Sequence, residues 1–221
     1  MAKTHNPPPP PLPLSRDRVL QTALGLADEG GLAAVSMRKL AQKLGVKAMS
    51  LYNHVANKDD ILDGIVDIVV DEMARPSLDQ DWKTAMRRRA TSAHAVLLRH
   101  PWATLAIVSR VNVGPAMLRY VDATLGCLVK AGFSLEMADH AWNAIDSHVY
   151  GFTLQELNFP FEAGEYAAVA QDYVAMIPAE QYPYLNLLTH AVIDGRYNGL
   201  HDFEFGLNLI LDGLDRYREQ A

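Results

Sequence analysis

Apolar residues recur three and four positions apart along almost the whole chain, the rhythm of helices that bury one face. Val19, Leu20, Ala23, Leu24, Leu26 and Ala27 keep this spacing between Ser15, a good N-cap, and the Gly30-Gly31 pair that ends the run. Ser36 caps a shorter helix carrying Met37, Leu40, Ala41 and Leu44, which stops at Gly45, and a third helix is predicted over 47–55. Asn57, followed by two acids, opens a fourth, whose face of Ile61, Leu62, Ile65, Val66, Ile68 and Val69 runs on to Arg75 before Pro76. Beyond that break, helices are predicted near 79–99, 102–110, 114–131, 134–158, 163–176, 179–194 and 202–218, with Pro101, Gly114-Pro115, Gly132, Pro160, Pro178 and GRYNG between them. No stretch alternates every second residue between hairpin turns. The expected fold is all-α.

The second and third helices have a closer pattern. Counting from Met37, the fifth residue is Ala41, the ninth Gly45 and the fifteenth Leu51. A helix-turn-helix needs a small residue where its helices cross, a residue tolerant of positive φ in the turn, and an apolar anchor under the second helix. Leu40, Leu44, Val46, Leu51 and Val55 complete an inward face. That leaves Lys47, Ala48, Met49, Ser50, Tyr52, Asn53 and His54 on the outer faces or at the leading end.

Charge sharpens this. Residues 1–58 hold eight Lys/Arg against three acids, a balance of +5, whereas residues 59–221 hold twelve against twenty-three, a balance of -11. A basic front on an acidic body suits a polyanionic partner for the front alone. The organisation expected is a disordered proline-rich tail (1–14, NPPPPPLPL), a helix-turn-helix domain (15–58), a connecting helix and linker (59–78), and a larger helical domain (79–221). The single cysteine, Cys127, excludes an internal disulfide and suits a reducing compartment, so the cytoplasm is the expected location. No apolar run approaches the roughly 18 residues of a membrane span.

The segment SRDRVLQTALGLADEGGLAAVSMRKLAQKLGVKAMSLYNHVANKDDILDGI, about residues 15–65, resembles the N-terminal domain of the TetR family of bacterial transcriptional repressors. LYNHVANKDDIL is similar to the tetracycline-repressor branch. The remainder resembles the family's regulatory domain in length and helix pattern. The resemblance implies a homodimer that reads double-stranded DNA at an inverted-repeat operator, and a C-terminal domain that binds a small-molecule effector and then releases the DNA. It implies DNA-contacting roles for Arg38, Ser50, Tyr52, His54 and Lys58, with Lys47 and Met49 tuning sequence choice and Asn53 beside them. Met37 departs from the family, standing where a hydroxyl residue often contacts DNA. It also implies that the helices at 134–158 and 202–218 pair with those of a second copy, for which Phe203, Leu207, Ile210 and Leu214 offer an apolar seam.

Within 134–158, Leu135, Ala138, Trp142, Ile145, Val149 and Phe152 form one stripe and Asp139, Asn143, Asp146 and Tyr150 another. The polar stripe fits a cavity lining or a solvent face equally well. Trp102, Met117, Asn143, Asp146 and Tyr150 are the candidate effector residues. His140 and His148 lie eight apart and do not converge as ligands with Asp146, so neither a metal nor a cofactor is expected. A helical enzyme would need a nucleophile–base or carboxylate pair, and GFSLE lacks the nucleophile-elbow pattern. The alternative reading is a helical adaptor that binds only protein, slightly favoured by the proline tail and opposed by the basic second and third helices.

Overall fold

The structure, a computed structural model, describes residues 13–161, 165–198 and 202–218. The proline-rich tail expected over 1–14 lies almost wholly outside them. Every regular element among the described residues is helical: α1 (Arg16–Gly30), α2 (Met37–Leu44), α3 (Ala48–Leu51), α4 (Lys58–Asp71), α5 (Trp82–Arg99), α6 (Ala103–Val108), α7 (Pro115–Lys130), α8 (Leu135–Leu157), α9 (Tyr166–Tyr173), α10 (Pro183–Ile193) and α11 (Phe203–Arg218).

The starts follow local chemistry. Ser15, Ser36, Asn57, Asp81 and Ser134 each accept a backbone N–H in the first turn of their helix, satisfying donors that the helix cannot. α2 ends where Gly45 turns left-handed (φ 69°, ψ 30°), so that Gly45 N–H reaches Gln42 O and Val46 N–H reaches Ala41 O. Several helices are shorter than the sequence pattern suggested, α6, α9 and α10 among them. α3 has four residues and passes at Tyr52 into turns held by His54 and Val55 N–H on Leu51 O, and α4 ends at Asp71 rather than Arg75.

One continuous core runs through both parts of the chain. α1, α2 and α3 close around Val19, Ala23, Leu40, Leu51 and Val55. α4 buries Ile61, Leu62, Ile65, Val66, Val69 and Val70, and this broad face packs on α1 on one side and on α6 and α7 on the other. α5, α7 and α8 build the body of the second part, with α11 against α8. There, Phe203 stacks between the His94 and His148 rings at centroid distances of 4.3 and 5.0 Å. α9 and α10 pack mainly on each other, leaving Tyr173, Tyr184, Leu187 and Leu188 exposed.

A candidate nucleic-acid interface and its link to the helical body

Leu51 and Val55 are fully buried and hold the segment 47–55 onto α1 and α2. Their burial turns the intervening residues outward. Lys47, Met49, Tyr52 and Asn53 are exposed, Met49 at 75% and Tyr52 at 48%, while Ser50 and His54 are half-buried. Arg38, at the start of α2, and Lys58, at the start of α4, are also exposed. Sequence reasoning grouped these eight residues, and they lie on α2, on α3 with its following turn, and at the first residue of α4. Met37, by contrast, is partly buried against the core.

The cations here divide into two kinds. Arg16 and Lys43 are held by Asp60 and Glu29 at 2.6 Å each. Arg38, Lys39, Lys47 and Lys58 have no carboxylate partner among the described residues. Unpaired exposed cations beside an exposed aromatic and an exposed methionine suit phosphates and base edges, whose charge would replace the counterions that surround them.

The turn after α3 is fastened from behind. Arg16 places Nη1 and Nη2 on the two Asp60 oxygens, at 2.9 and 2.6 Å, and Nη1 also reaches His54 O at 3.3 Å. Asp60 Oδ2 accepts Ala56 N–H at 2.8 Å. The Arg16 guanidinium holds the Asp60 carboxyl below the usual carboxylate range, against the opposing effect of desolvation. The clasp fixes the end of the outward-facing segment to both α1 and α4.

Polar contacts at several places join this unit to the second part of the chain. Asp28 of α1 accepts from Trp102 Nε1 at 2.7 Å and lies 2.7 Å from His100 Nδ1, while Glu72, just past α4, binds Arg99 at 2.6 Å. Asp67 of α4 caps α7, accepting Ala116 and Met117 N–H at 2.9 and 3.0 Å. A side chain on Gly114 would run into that carboxylate. Arg110, in the α6–α7 loop, contacts Asp59 at 3.2 Å and Asp63 at 2.8 Å.

The expected effector residues therefore scatter. Trp102 is buried and its indole N–H is committed to Asp28, which places it at the junction. Met117 is half-buried beside the Asp67 cap. Asn143 is exposed and bonds back to Asp139 one turn earlier. The polar stripe of α8 splits, with Asp139 and Asn143 facing out and Asp146 and Tyr150 facing in. A cleft of about 340 Å³ between α1, α4 and α7 is lined by Gln21, Asp67, Ile68, Asp71, Glu72, Ala116 and Arg119, and includes none of the five.

Asp146 and Tyr150 enter a buried network that sequence reasoning missed. Arg89 of α5 is fully buried and donates from Nε to Thr124 Oγ1 at 2.8 Å and from Nη1 to Asp146 Oδ1 at 2.7 Å. Its guanidinium lies over the Tyr120 ring at 4.4 Å. The other Asp146 oxygen accepts from Trp142 Nε1 at 2.7 Å and from Tyr150 Oη at 3.2 Å. Burial works against the charge on Arg89, yet Tyr120 and Asp146 outweigh it and keep the guanidinium protonated. Burial pushes the Tyr120 phenol up to about 12 despite Arg89, and burial with Asp146 raises Tyr150 further, so both remain hydroxyl donors at neutral pH. A signal was present in the sequence. Arg89 falls on the α5 stripe of Ala85, Met86, Ala90, Ala93, Val96 and Leu97, where a charge is out of place, but it reads as the end of an arginine triplet.

The seam expected at the second copy is also turned. Phe203, Leu207 and Leu214 are buried in their own chain and Ile210 packs partly on the same core. Phe205, Leu209 and Tyr217 face outward from α11 at 64%, 59% and 64% exposure. The apolar repeat of this helix serves the intrachain core first, because α8 and α5 already cover it. Among the described residues there is no group of three His, Cys, Asp or Glu placed to hold a metal ion, and no helix is long and apolar enough to cross a membrane.

Comparison with known proteins agrees with this architecture. Residues 19–65 match the family described as bacterial regulatory proteins, tetR family, and residues 75–218 match the tetracyclin repressor-like C-terminal domain. The transcriptional repressor DrrR1 of Streptomyces coeruleorubidus is 30% identical, over 91% of this chain and 77% of its own. The class A tetracycline repressor from transposon 1721 of Escherichia coli is 32% identical, over 93% and 92%. The TetR family protein ActR of Streptomyces coelicolor, solved in complex with actinorhodin, superposes with a TM-score of 0.79 and 32% identity, over 93% of this chain and 99% of its own. With its helix-turn-helix unit, its regulatory helices and these relatives, the chain belongs to the TetR family of DNA-binding transcriptional regulators.

Proposed function

We propose that two copies of this chain bind an inverted-repeat operator through Arg38, Lys47, Met49, Ser50, Tyr52, Asn53, His54 and Lys58, and that a small molecule bound in the helical body releases them. The observation that carries the DNA part is the set of exposed cations without acidic partners, Arg38, Lys39, Lys47 and Lys58, around the anchored turn that presents Tyr52. The protein acts where the chromosome is, in the cytoplasm.

The second copy meets the outward face of α11 and α8. Phe205, Leu209 and Tyr217 supply exposed apolar area, and the exposed Ala144, Ser147 and Gly151 on α8 allow close helix approach. Two-fold symmetry then sets the symmetry of the operator.

The effector enters at the Arg89–Asp146–Tyr150 network. That ActR is solved with actinorhodin and that several relatives are named tetracycline repressors supports a small-molecule effector. Release follows from α4, which is gripped by the α6–α7 segment through Arg110 and the Asp67 cap. An effector that shifts this segment tilts α4 and changes the spacing of the two DNA-reading units.

Fluorescence anisotropy on a labelled duplex of random sequence tests the DNA part. Binding at low salt should weaken steeply as salt rises, and Lys58→Ala should lower the salt slope. A protein that ignores duplex DNA at low salt would instead be the protein-binding adaptor.

A further inference from the structure

Phe203, the first residue of α11, is clamped between two histidines whose hydrogens can be placed from their partners. His148 Nε2 lies 2.9 Å from Phe203 O, a carbonyl that can only accept, so Nε2 carries a hydrogen. Gly206 lets α11 come this close, since a side chain there would run into the His148 ring. His94 of α5 lies flat against the Phe203 ring at 4.3 Å, and its Nδ1 is 2.9 Å from Thr153 Oγ1. Thr153 is fully buried and gives its one hydroxyl hydrogen to Val149 O at 2.6 Å. Its oxygen therefore accepts, and His94 Nδ1 donates.

That assignment decides the other ring nitrogen. His94 Nε2 faces Glu156 Oε2, in the last turn of α8, at 3.1 Å. A neutral ring with its hydrogen on Nδ1 would turn a lone pair toward a carboxylate, and two acceptors repel. The contact closes only when one more proton lies between them. Burial pushes the His94 imidazole below its ordinary value of 6.5, against the attraction of Glu156 and with His148 adding to the effect. The proton is thus taken up only as pH falls below 6.5. Other charges on the packed elements are engaged elsewhere. Glu204, next to Phe203 on α11, is held by Arg87 and Thr91 of α5 at 3.0 Å each, and Asp202 accepts Glu204 N–H at 2.9 Å.

We propose that His94 and Glu156 form a proton-dependent latch between α5 and the last turn of α8, closed at acid pH and open at neutral pH. Closed, as the structure shows it, the ring is held at both nitrogens and stacked on Phe203, so α5, α8 and α11 are fastened at one point. When the proton leaves, Glu156, whose side chain is 46% exposed, turns to water, and the end of α8 loses this tie to α5. Because the folded value of His94 lies below the unfolded one, its protonation costs the fold stability as pH falls, and Glu156 limits that cost.

The test uses the full chain without DNA and the variant Glu156→Gln, at an exposed position whose replacement leaves the core intact. Nitrogen-15 NMR of the histidine rings reads tautomer and titration midpoint, with the His94 signals identified by their loss in His94→Gln. At pH 8 His94 should carry its hydrogen on Nδ1. Glu156→Gln should lower the His94 midpoint, because an amide does not attract the imidazolium. Thermal melts give a second readout. At pH 8 Glu156→Gln should melt at the wild-type temperature or above it, since the amide can donate to the Nε2 lone pair, and at pH 5 it should melt below wild type.

A hydrogen on His94 Nε2 at pH 8 overturns the latch. So does an unchanged His94 midpoint in Glu156→Gln, or a Tm effect of that variant that is equal at pH 5 and pH 8, the mark of a carboxylate that only packs.

Discussion

Asp60 illustrates how much one side chain settles. Its two oxygens hold Arg16 and the Ala56 N–H at once, tying α1, the end of the exposed turn after α3 and α4 together. Asp60→Ala should cost about 1 kcal/mol in urea unfolding, a modest figure because Arg16 is half-exposed and solvent screens the pair. It should also weaken DNA binding, because the turn carrying Tyr52 and His54 loses its fastening. The pH dependence has a fixed sign. Arg16 depresses the folded pKa of Asp60, so the clasp is fully present above the ordinary aspartate range near 4, and its contribution fades as pH falls through the lower folded value. Wild type and Asp60→Ala should therefore converge in stability at acid pH, as melts from pH 7 down to pH 2.5 would show. Asp146→Asn has a larger effect, about 3 kcal/mol, because it leaves the buried Arg89 charge without its counter-ion. Denaturant titration measures that loss.

Among the helices, α11 separates two surfaces that the sequence ran together. Leu207→Asp puts a charge in the core and should unfold the body, whereas Leu209→Asp should leave a folded monomer, distinguishable by circular dichroism and ultracentrifugation. A dimer that survives Leu209→Asp would move the interface elsewhere. Helix starts were legible because Ser15, Ser36 and Asn57 act locally, as were the inward positions of α2 and α3, where Gly45 and Leu51 constrain one another. The orientation of α11 was not, since the spacing of Phe203, Leu207 and Leu214 gives a face without saying which neighbour covers it. The buried network was not legible either. Arg89, Tyr120 and Asp146 come from α5, α7 and α8, up to 57 residues apart, and nothing local relates them. Trp102 reads as a pocket aromatic until its N–H is seen on Asp28 across the domain junction. The junction has its own test. Asp67→Ala removes the cap that ties α4 to α7, and once an effector is in hand the variant should still bind DNA but be released by it less completely. Unchanged release would assign the coupling to the apolar face of α4.

At the scale of the whole molecule, a basic end carrying the helix-turn-helix is joined to an acidic helical body, in which the exposed apolar face of α11 and the buried Arg89 network are separate. Residues 1–58 carry +5 and the rest -11, a charge asymmetry that favours a polyanion at the first end and opposes one at the other. The central claim is that two such ends read DNA together. Selection of bound duplexes from a random pool, followed by sequencing, tests it most directly. The expected result is an enriched site with two-fold symmetry whose half-sites are spaced about one helical turn apart, near 34 Å. Enrichment of a site with no inverted repeat, or of no sequence at all, would contradict it.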